Sequence, residues 1–224
     1  MKRWLNENSL SIFFFALLLL ALLGQSIAGW KDFNEDAATH HSQLLSYRRY
    51  LVSSDFGEGV MENWQSEFLQ FSTFILATIW LLQKGSNESK SLDDQGLESD
   101  QKQRMKSFAE PGSPLWAKVG GLRTALYANS LLIVMTAIFL LTWLAQSLTG
   151  WNQYNDDQQE HDLAPVAWAT YVTRPDFWSN TFENWQSEFL AVGTMAVFTI
   201  YLRQRGSPES KPVGAPHDET ASSG

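Results

Sequence analysis

The feature that most constrains this chain is that it repeats itself. Asn8–Lys90 aligns on Asn129–Lys211 without a gap, at a constant shift of 121 (185 − 64; 211 − 90), and about 36 of the 83 aligned positions are identical. The longest shared block, Glu62-Asn63-Trp64-Gln65-Ser66-Glu67-Phe68-Leu69, returns as Glu183-Asn184-Trp185-Gln186-Ser187-Glu188-Phe189-Leu190. Gln25-Ser26-Ile27-Ala28-Gly29-Trp30 returns as Gln146-Ser147-Leu148-Thr149-Gly150-Trp151. A fixed period of this kind means one structural unit used twice, so a fold must satisfy both copies together.

Each copy holds two apolar runs, Ser9–Ala28 and Trp64–Leu82, then Leu126–Leu148 and Trp185–Leu202. At about 1.5 Å rise per residue, each is long enough to cross roughly 30 Å of hydrocarbon. The chain-wide composition hides this, because the apolar residues are concentrated in these runs. Charged residues are only 18%, and ten tryptophans suit a protein that places indole rings at membrane boundaries. We therefore expect an all-α membrane protein with four transmembrane helices, arranged as two tandem parallel-repeat hairpins. Lys2 and Arg3 before the first run, and the small residues Ser26-Ile27-Ala28, also suit a signal peptide. The run exceeds the usual signal core, and its ending recurs at mid-chain, so a retained helix is expected.

Lys2, Arg3, Lys84, Lys90, Lys102, Arg104, Lys106, Lys118, Arg123, Arg203, Arg205 and Lys211 fall on one side of this arrangement; Lys31, Arg48, Arg49 and Arg174 fall on the other. That bias of 12 to 4 predicts cytoplasmic termini and like-oriented copies. The expected organisation is a first hairpin over 1–90, a flexible connector over 91–118, a second hairpin over 119–211 and a disordered tail over 212–224. The loops 29–61 and 150–182 are too long for tight turns and are expected to fold on the membrane surface, with Tyr47, Tyr50, Trp168 and Tyr171 in short interfacial segments. Gly85 and Gly206 act as helix stops, and Asp55 and Asp176 as helix-start residues.

Net charge of −8 argues against nucleic acid, and the absence of cysteine excludes thiolate chemistry. There is no glycine-rich phosphate loop, His-Glu-x-x-His or Gly-x-Ser-x-Gly motif, and Ser9, Ser11 and Ser130 lack a visible base. The candidate site is the polar cluster where each loop enters its second helix: Glu62, Asn63, Trp64, Gln65 and Glu67, matched by Glu183, Asn184, Trp185, Gln186 and Glu188. Gln25 and Gln146 lie at a similar depth. Asn63, Glu67 and Gln70 share one helix stripe, with Glu62, Ser66 and Thr73 beside it. Such residues can be interhelical hydrogen-bonding glue, or a site for a ligand, ion or proton. Near the membrane edge a carboxylate costs little enough that either reading stands.

A weaker pattern lies in the loops. Asp36 with His40, and Asp157 with His161, have the i,i+4 spacing of a metal pair, but each copy supplies only two ligands. The other reading is a helix cap and an exposed histidine. Each loop also carries six acidic residues up to its second helix, a surface that would gather cations.

The repeated Glu-Asn-Trp-Gln-Ser-Glu-Phe-Leu block, the Gln-Ser-x-x-Gly-Trp endings and Arg205-Gly206-Ser207-Pro208-Glu209-Ser210-Lys211 resemble an uncharacterised family of bacterial membrane proteins, classed as a domain of unknown function. The resemblance implies a bacterial source and a cytoplasmic-membrane location, and brings no catalytic residues with it. The expectation is a non-enzymatic scaffold, envelope-associated or accessory protein without a cofactor. Its partners would be the lipid bilayer and a second copy or another membrane protein. A small transporter or ion- or proton-conducting protein using Glu67 and Glu188 is the alternative, and a membrane enzyme joining His40 to His161 is third.

Overall fold

The computed structural model describes residues 2–40 and 42–221. Its helices are α1 (Lys2–Glu7), α2 (Ser9–Thr39), α3 (Tyr47–Tyr50), α4 (Ser54–Trp80), α5 (Leu115–Lys118), α6 (Gly121–Ala128), α7 (Ser130–Glu160), α8 (Trp168–Tyr171) and α9 (Pro175–Tyr201), with a 3-10 turn at Lys106–Phe108 before α5. The described residues contain no strand. The short helices α3 and α8 fall on the two aromatic loop segments. Asn8 and Asn129, matched positions, each interrupt the helical run, and each side-chain amide donates to the carbonyl four residues earlier at 2.8 Å.

Among the described residues two helices, α2 and α7, are long and apolar enough to cross a membrane, rather than the four expected. The other two long helices fall short because the shared block puts Gln65, Ser66 and Glu67 into α4, with Gln70 just after it, and Gln186, Ser187 and Glu188 into α9. Along α2 the apolar side chains stay uncovered all round: Leu10, Phe13, Phe14, Phe15, Leu19 and Leu20 are each more than half exposed. A helix that is apolar on every face is one whose surroundings are apolar.

Helix boundaries differ from expectation in both copies. Neither first helix stops at its Gly-Trp ending; α2 runs on to Thr39 and α7 to Glu160, 31 residues or about 46 Å each. The second helices begin at Ser54 and Pro175, ahead of Trp64 and Trp185. Asp55 and Asp176 sit in their first turns, where a carboxylate complements the helix dipole, and Pro175 occupies the start position that tolerates its missing N–H.

The chain forms two compact units, and each draws on both copies: Met1–Met61 with Ala145–Tyr171, and Glu62–Leu144 with Val172–Gly224. In the first unit, each loop is tied to its own long helix by the same set of bonds. Trp30 Nε1 donates to the Leu45 carbonyl at 2.7 Å, and Trp151 Nε1 to the Val166 carbonyl at 2.7 Å. The Asn34 amide donates to the Leu45 carbonyl and accepts from the Leu45 N–H, at 2.9 and 2.7 Å; Asn155 does the same with Val166 at 3.1 and 2.8 Å. These side chains satisfy backbone groups that no helix or strand partner reaches. Tyr47 meets Ser26 at 2.8 Å, and Trp168 donates to the matched Ser147 at 3.1 Å. Gly29 is in mid-helix because the Tyr50 hydroxyl lies where a β-carbon would be; at Gly150 that space is taken by the Glu58 carboxylate and the Tyr171 hydroxyl.

The second unit contains the turns that follow α4 and α9. Gln83 N–H donates to Ser89 Oγ at 2.9 Å, and Gln204 N–H to Ser210 Oγ at 2.8 Å. Gly85 and Gly206 take φ of 85° and 86°, left-handed values that explain glycine at both turns. The following lysines then act alike. Lys90 Nζ donates to the Gly96 carbonyl at 3.0 Å and pairs with Glu98 at 3.2 Å. The fully buried Lys211 donates to the carbonyls of Pro216, His217 and Glu219, each at 3.0 Å. Within the tail expected to be disordered, Arg203 Nη2 also donates to the Ala215 carbonyl at 3.0 Å and Gly85 N–H to Thr220 Oγ1 at 2.9 Å. Residues 222–224 of that tail lie outside the described residues.

Candidate functional site

The polar block of α4 meets that of α9 inside the second unit. Asn184 Nδ2 donates to Glu62 Oε1 at 2.7 Å, and Trp185 Nε1 donates to Gln65 Oε1 at 2.8 Å. One turn further along, Ser66 Oγ donates to Glu188 Oε1 at 3.4 Å and Gln70 Nε2 to the Glu188 backbone carbonyl at 3.3 Å. Helical spacing accounts for the ladder: positions 62, 65, 66 and 70 lie on one face of α4, and 184, 185 and 188 on one face of α9. Gln65 and Ser66 are buried, with 0% and 1% exposure, whereas Glu62, Asn184, Trp185 and Glu188 are half-buried.

Identical octapeptides do not have identical surroundings. Gln65 is buried, but its counterpart Gln186 is exposed. Glu67 is exposed, but its counterpart Glu188 is half-buried and hydrogen-bonded. Asn63 and Glu183 are exposed and Trp64 is half-buried. The asymmetry follows from what covers Trp185. Trp143 of α7 lies 5.6 Å from it, ring to ring, with Phe139 and Phe182 at 6.3 and 5.7 Å. Trp143 further contacts Phe177 and Trp178 at 6.2 and 6.0 Å. The first copy carries Leu18 and Leu22 where the second has Phe139 and Trp143, and Gly57 and Met61 where it has Trp178 and Phe182. Edge-to-face and offset aromatic packing of this kind adds about 0.5–1.5 kcal/mol per pair beyond area burial. Three buried polar atoms here have no hydrogen-bond partner: Gln65 Nε2, Trp143 Nε1 and Thr181 Oγ1.

The remaining candidates belong to the first unit. Gln25 is exposed and its amide approaches Gly59, 3.3 Å from the β-carbon position there. Gln146 is 1% exposed. His40 Nδ1 turns back to the carbonyl of Asp36 at 3.1 Å and lies 3.4 Å from its carboxylate; His161 Nδ1 turns to the Asp157 carbonyl at 2.8 Å. All four of these side chains are exposed. The described residues contain no group of three or more metal-ligating side chains, so the pairing of copies that would complete a four-ligand set is not formed among them. Tyr50, which the sequence placed in an interfacial segment, is instead buried: it is 3% exposed, and burial, reinforced by the Asp55 carboxylate, holds its phenol far above the usual tyrosine range, so it stays protonated. The signal that could have found it is the identical pairing of Gly29 with Tyr50 and Gly150 with Tyr171 at the 121 shift.

Chemically, the α4–α9 ladder joins carboxylates and amides to neutral N–H and O–H donors. Its hydrogen bonds run from one copy to the other. No curated protein and no solved structure matches the chain. One family model does match, over residues 1–222, nearly the full length in which the repeated blocks, the Gly–Tyr approaches and the paired turns occur. The chain belongs to that family, which is described as a domain of unknown function (DUF6766).

Proposed function

We propose that this is a non-enzymatic integral membrane protein of scaffolding or accessory role, with four long helices crossing the cytoplasmic membrane of a bacterium and both termini inside. The observation that carries the reading is the cross-copy ladder: Asn184 to Glu62, Trp185 to Gln65 and Ser66 to Glu188. Polar side chains engaged between helices are what a membrane bundle uses as glue. With that face turned inward, the other faces of α4 and α9 present Leu76, Leu190, Val197 and Phe198, all at least 46% exposed, to lipid. Part of the low mean hydropathy of these two helices then comes from the paired residues Glu62, Gln65, Ser66, Gln70, Asn184 and Glu188. The 12-to-4 distribution of basic residues supports that orientation. A second copy or another membrane protein is the natural partner for such a surface.

The chain has no cysteine, so single cysteines can be introduced without removing others. Cysteines at positions 40 and 161 should both react with a membrane-impermeant reagent from the outer side, and one at position 102 only from the inner side. Purified protein in vesicles should carry no proton or alkali-cation flux. Flux that disappears in the Glu67→Gln, Glu188→Gln variant while the fold is kept would overturn the scaffold reading in favour of a conducting protein.

A further inference from the structure

A pocket of about 240 Å³ opens between α4 and α9 in the second unit, lined by Gln70, Phe71, Phe74, Glu88, Ala191, Val192, Met195 and Glu209. These eight residues are four pairs related by the 121 shift: 70 with 191, 71 with 192, 74 with 195, and 88 with 209. The pocket therefore lies where the two copies face one another with matching positions, and its two carboxylates come from the same place in each.

Its chemistry is one-sided. Five lining residues are apolar, two of them aromatic, and the only charges in the lining are the two carboxylates. Glu88 and Glu209 make no salt bridge among the described residues, and Glu88 Oε1 is buried with no hydrogen-bond partner. Of the cations in these turns, Lys90 is engaged with the Gly96 carbonyl and Glu98, Lys211 with three carbonyls, and Arg203 with the carbonyls of Thr199, Ile200, Leu202 and Ala215, while Lys84 and Arg205 are exposed and form no ion pair with either carboxylate among the described residues. Two carboxylates without an ion pair among the described residues, beside an apolar and aromatic hollow, call for a guest with one positive centre on an apolar body. We propose that this pocket binds a small amphiphilic cation, an organic ammonium whose apolar part lies against Phe71, Phe74, Val192 and Met195 and whose charge lies between Glu88 and Glu209. Two carboxylates fall short of the six or more oxygen ligands that a bare calcium ion takes, which favours the organic cation. Binding at this place is independent of whether the protein conducts anything, and so goes beyond the scaffold reading.

Calorimetric titration of the full chain in neutral detergent tests this with benzyltrimethylammonium, using benzyl alcohol and benzenesulfonate as neutral and anionic controls. Saturable one-to-one binding of the ammonium alone is expected, weakened at least tenfold in Glu88→Gln, Glu209→Gln. Ala191→Phe, which fills the hollow and keeps both carboxylates, should weaken it comparably. The proposal is overturned if the ammonium does not saturate, if benzyl alcohol competes equally, or if either variant binds as the parent does.

Discussion

Trp185 donates its indole N–H to the amide oxygen of Gln65 at 2.8 Å, and the two residues come from different copies of one octapeptide. The bond joins the copies at a fully buried glutamine, so its strength should be measurable. Trp185→Phe and Gln65→Leu should each destabilise the protein, and the double variant should lose less than their sum. The coupling expected from a thermal-unfolding cycle in detergent is about 0.6–1.7 kcal/mol, the range for interhelical hydrogen bonds in membranes. Strict additivity would mean that the bond does not hold α4 to α9.

Gly29 sits in mid-helix, where alanine ordinarily stabilises by roughly 0.5–1 kcal/mol. Here the sign should reverse, because an added β-carbon meets the Tyr50 hydroxyl. Gly29→Ala should cost about 1–3 kcal/mol by overpacking. Adding Tyr50→Phe, which removes the obstructing oxygen, should recover much of the loss in melting temperature. No recovery would show that the close approach is not the reason for glycine.

Asn34 and Asn155 each hold both backbone groups of a loop residue. Alanine at either position should cost about 1–3 kcal/mol, the penalty of leaving such groups unpaired. It should also speed proteolysis of the loop that follows, Ser42–Ser53 or Asp162–Thr173. Aspartate, which keeps the acceptor and loses the donor, should fall between.

Lys211 gathers three carbonyls of the tail. Lys211→Met keeps most of the side-chain volume and removes the donors, so amide hydrogen exchange should rise over residues 215–220 and stay unchanged in α2. Equal exchange in both proteins would mean that other contacts order the tail.

Burial, and after it the Glu209 carboxylate, raises the Glu88 carboxyl above its ordinary value. A carboxyl raised on folding binds more protons in the folded state, so its charging destabilises the fold. This contribution is at its best below the unfolded carboxylate value and is lost as pH rises through the folded one. Glu88→Gln should therefore melt higher than the parent at neutral pH, with the difference shrinking in acid. A difference that grows toward low pH would contradict this sign.

The duplication and the glycine turns after α4 and α9 were legible in the sequence, because identity and a left-handed turn residue act locally; four spanning helices were expected where two, α2 and α7, are long and apolar enough among the described residues. The Gly-Trp endings misled for a physical reason: Gly29 and Gly150 make room for a tyrosine hydroxyl, and only the folded loop reveals which role a glycine has. The polar block was legible as a cluster but not as an asymmetric one. Its eight residues are the same twice, and the difference comes from Phe139 and Trp143 in a separate helix, where the first copy has leucines. Nor did spacing along one copy show that Glu88 and Glu209 share a hollow, since the relation runs between copies.

Because each compact unit takes its chain from both copies, a single repeat is an unfinished object. A lone ancestral hairpin would have needed a twin molecule to complete itself, and fusion would have turned that meeting into a covalent certainty, leaving the twins free to drift apart as Leu22 and Trp143 have done. Cut within the connector, the two halves should each be degraded when made alone and persist when made together.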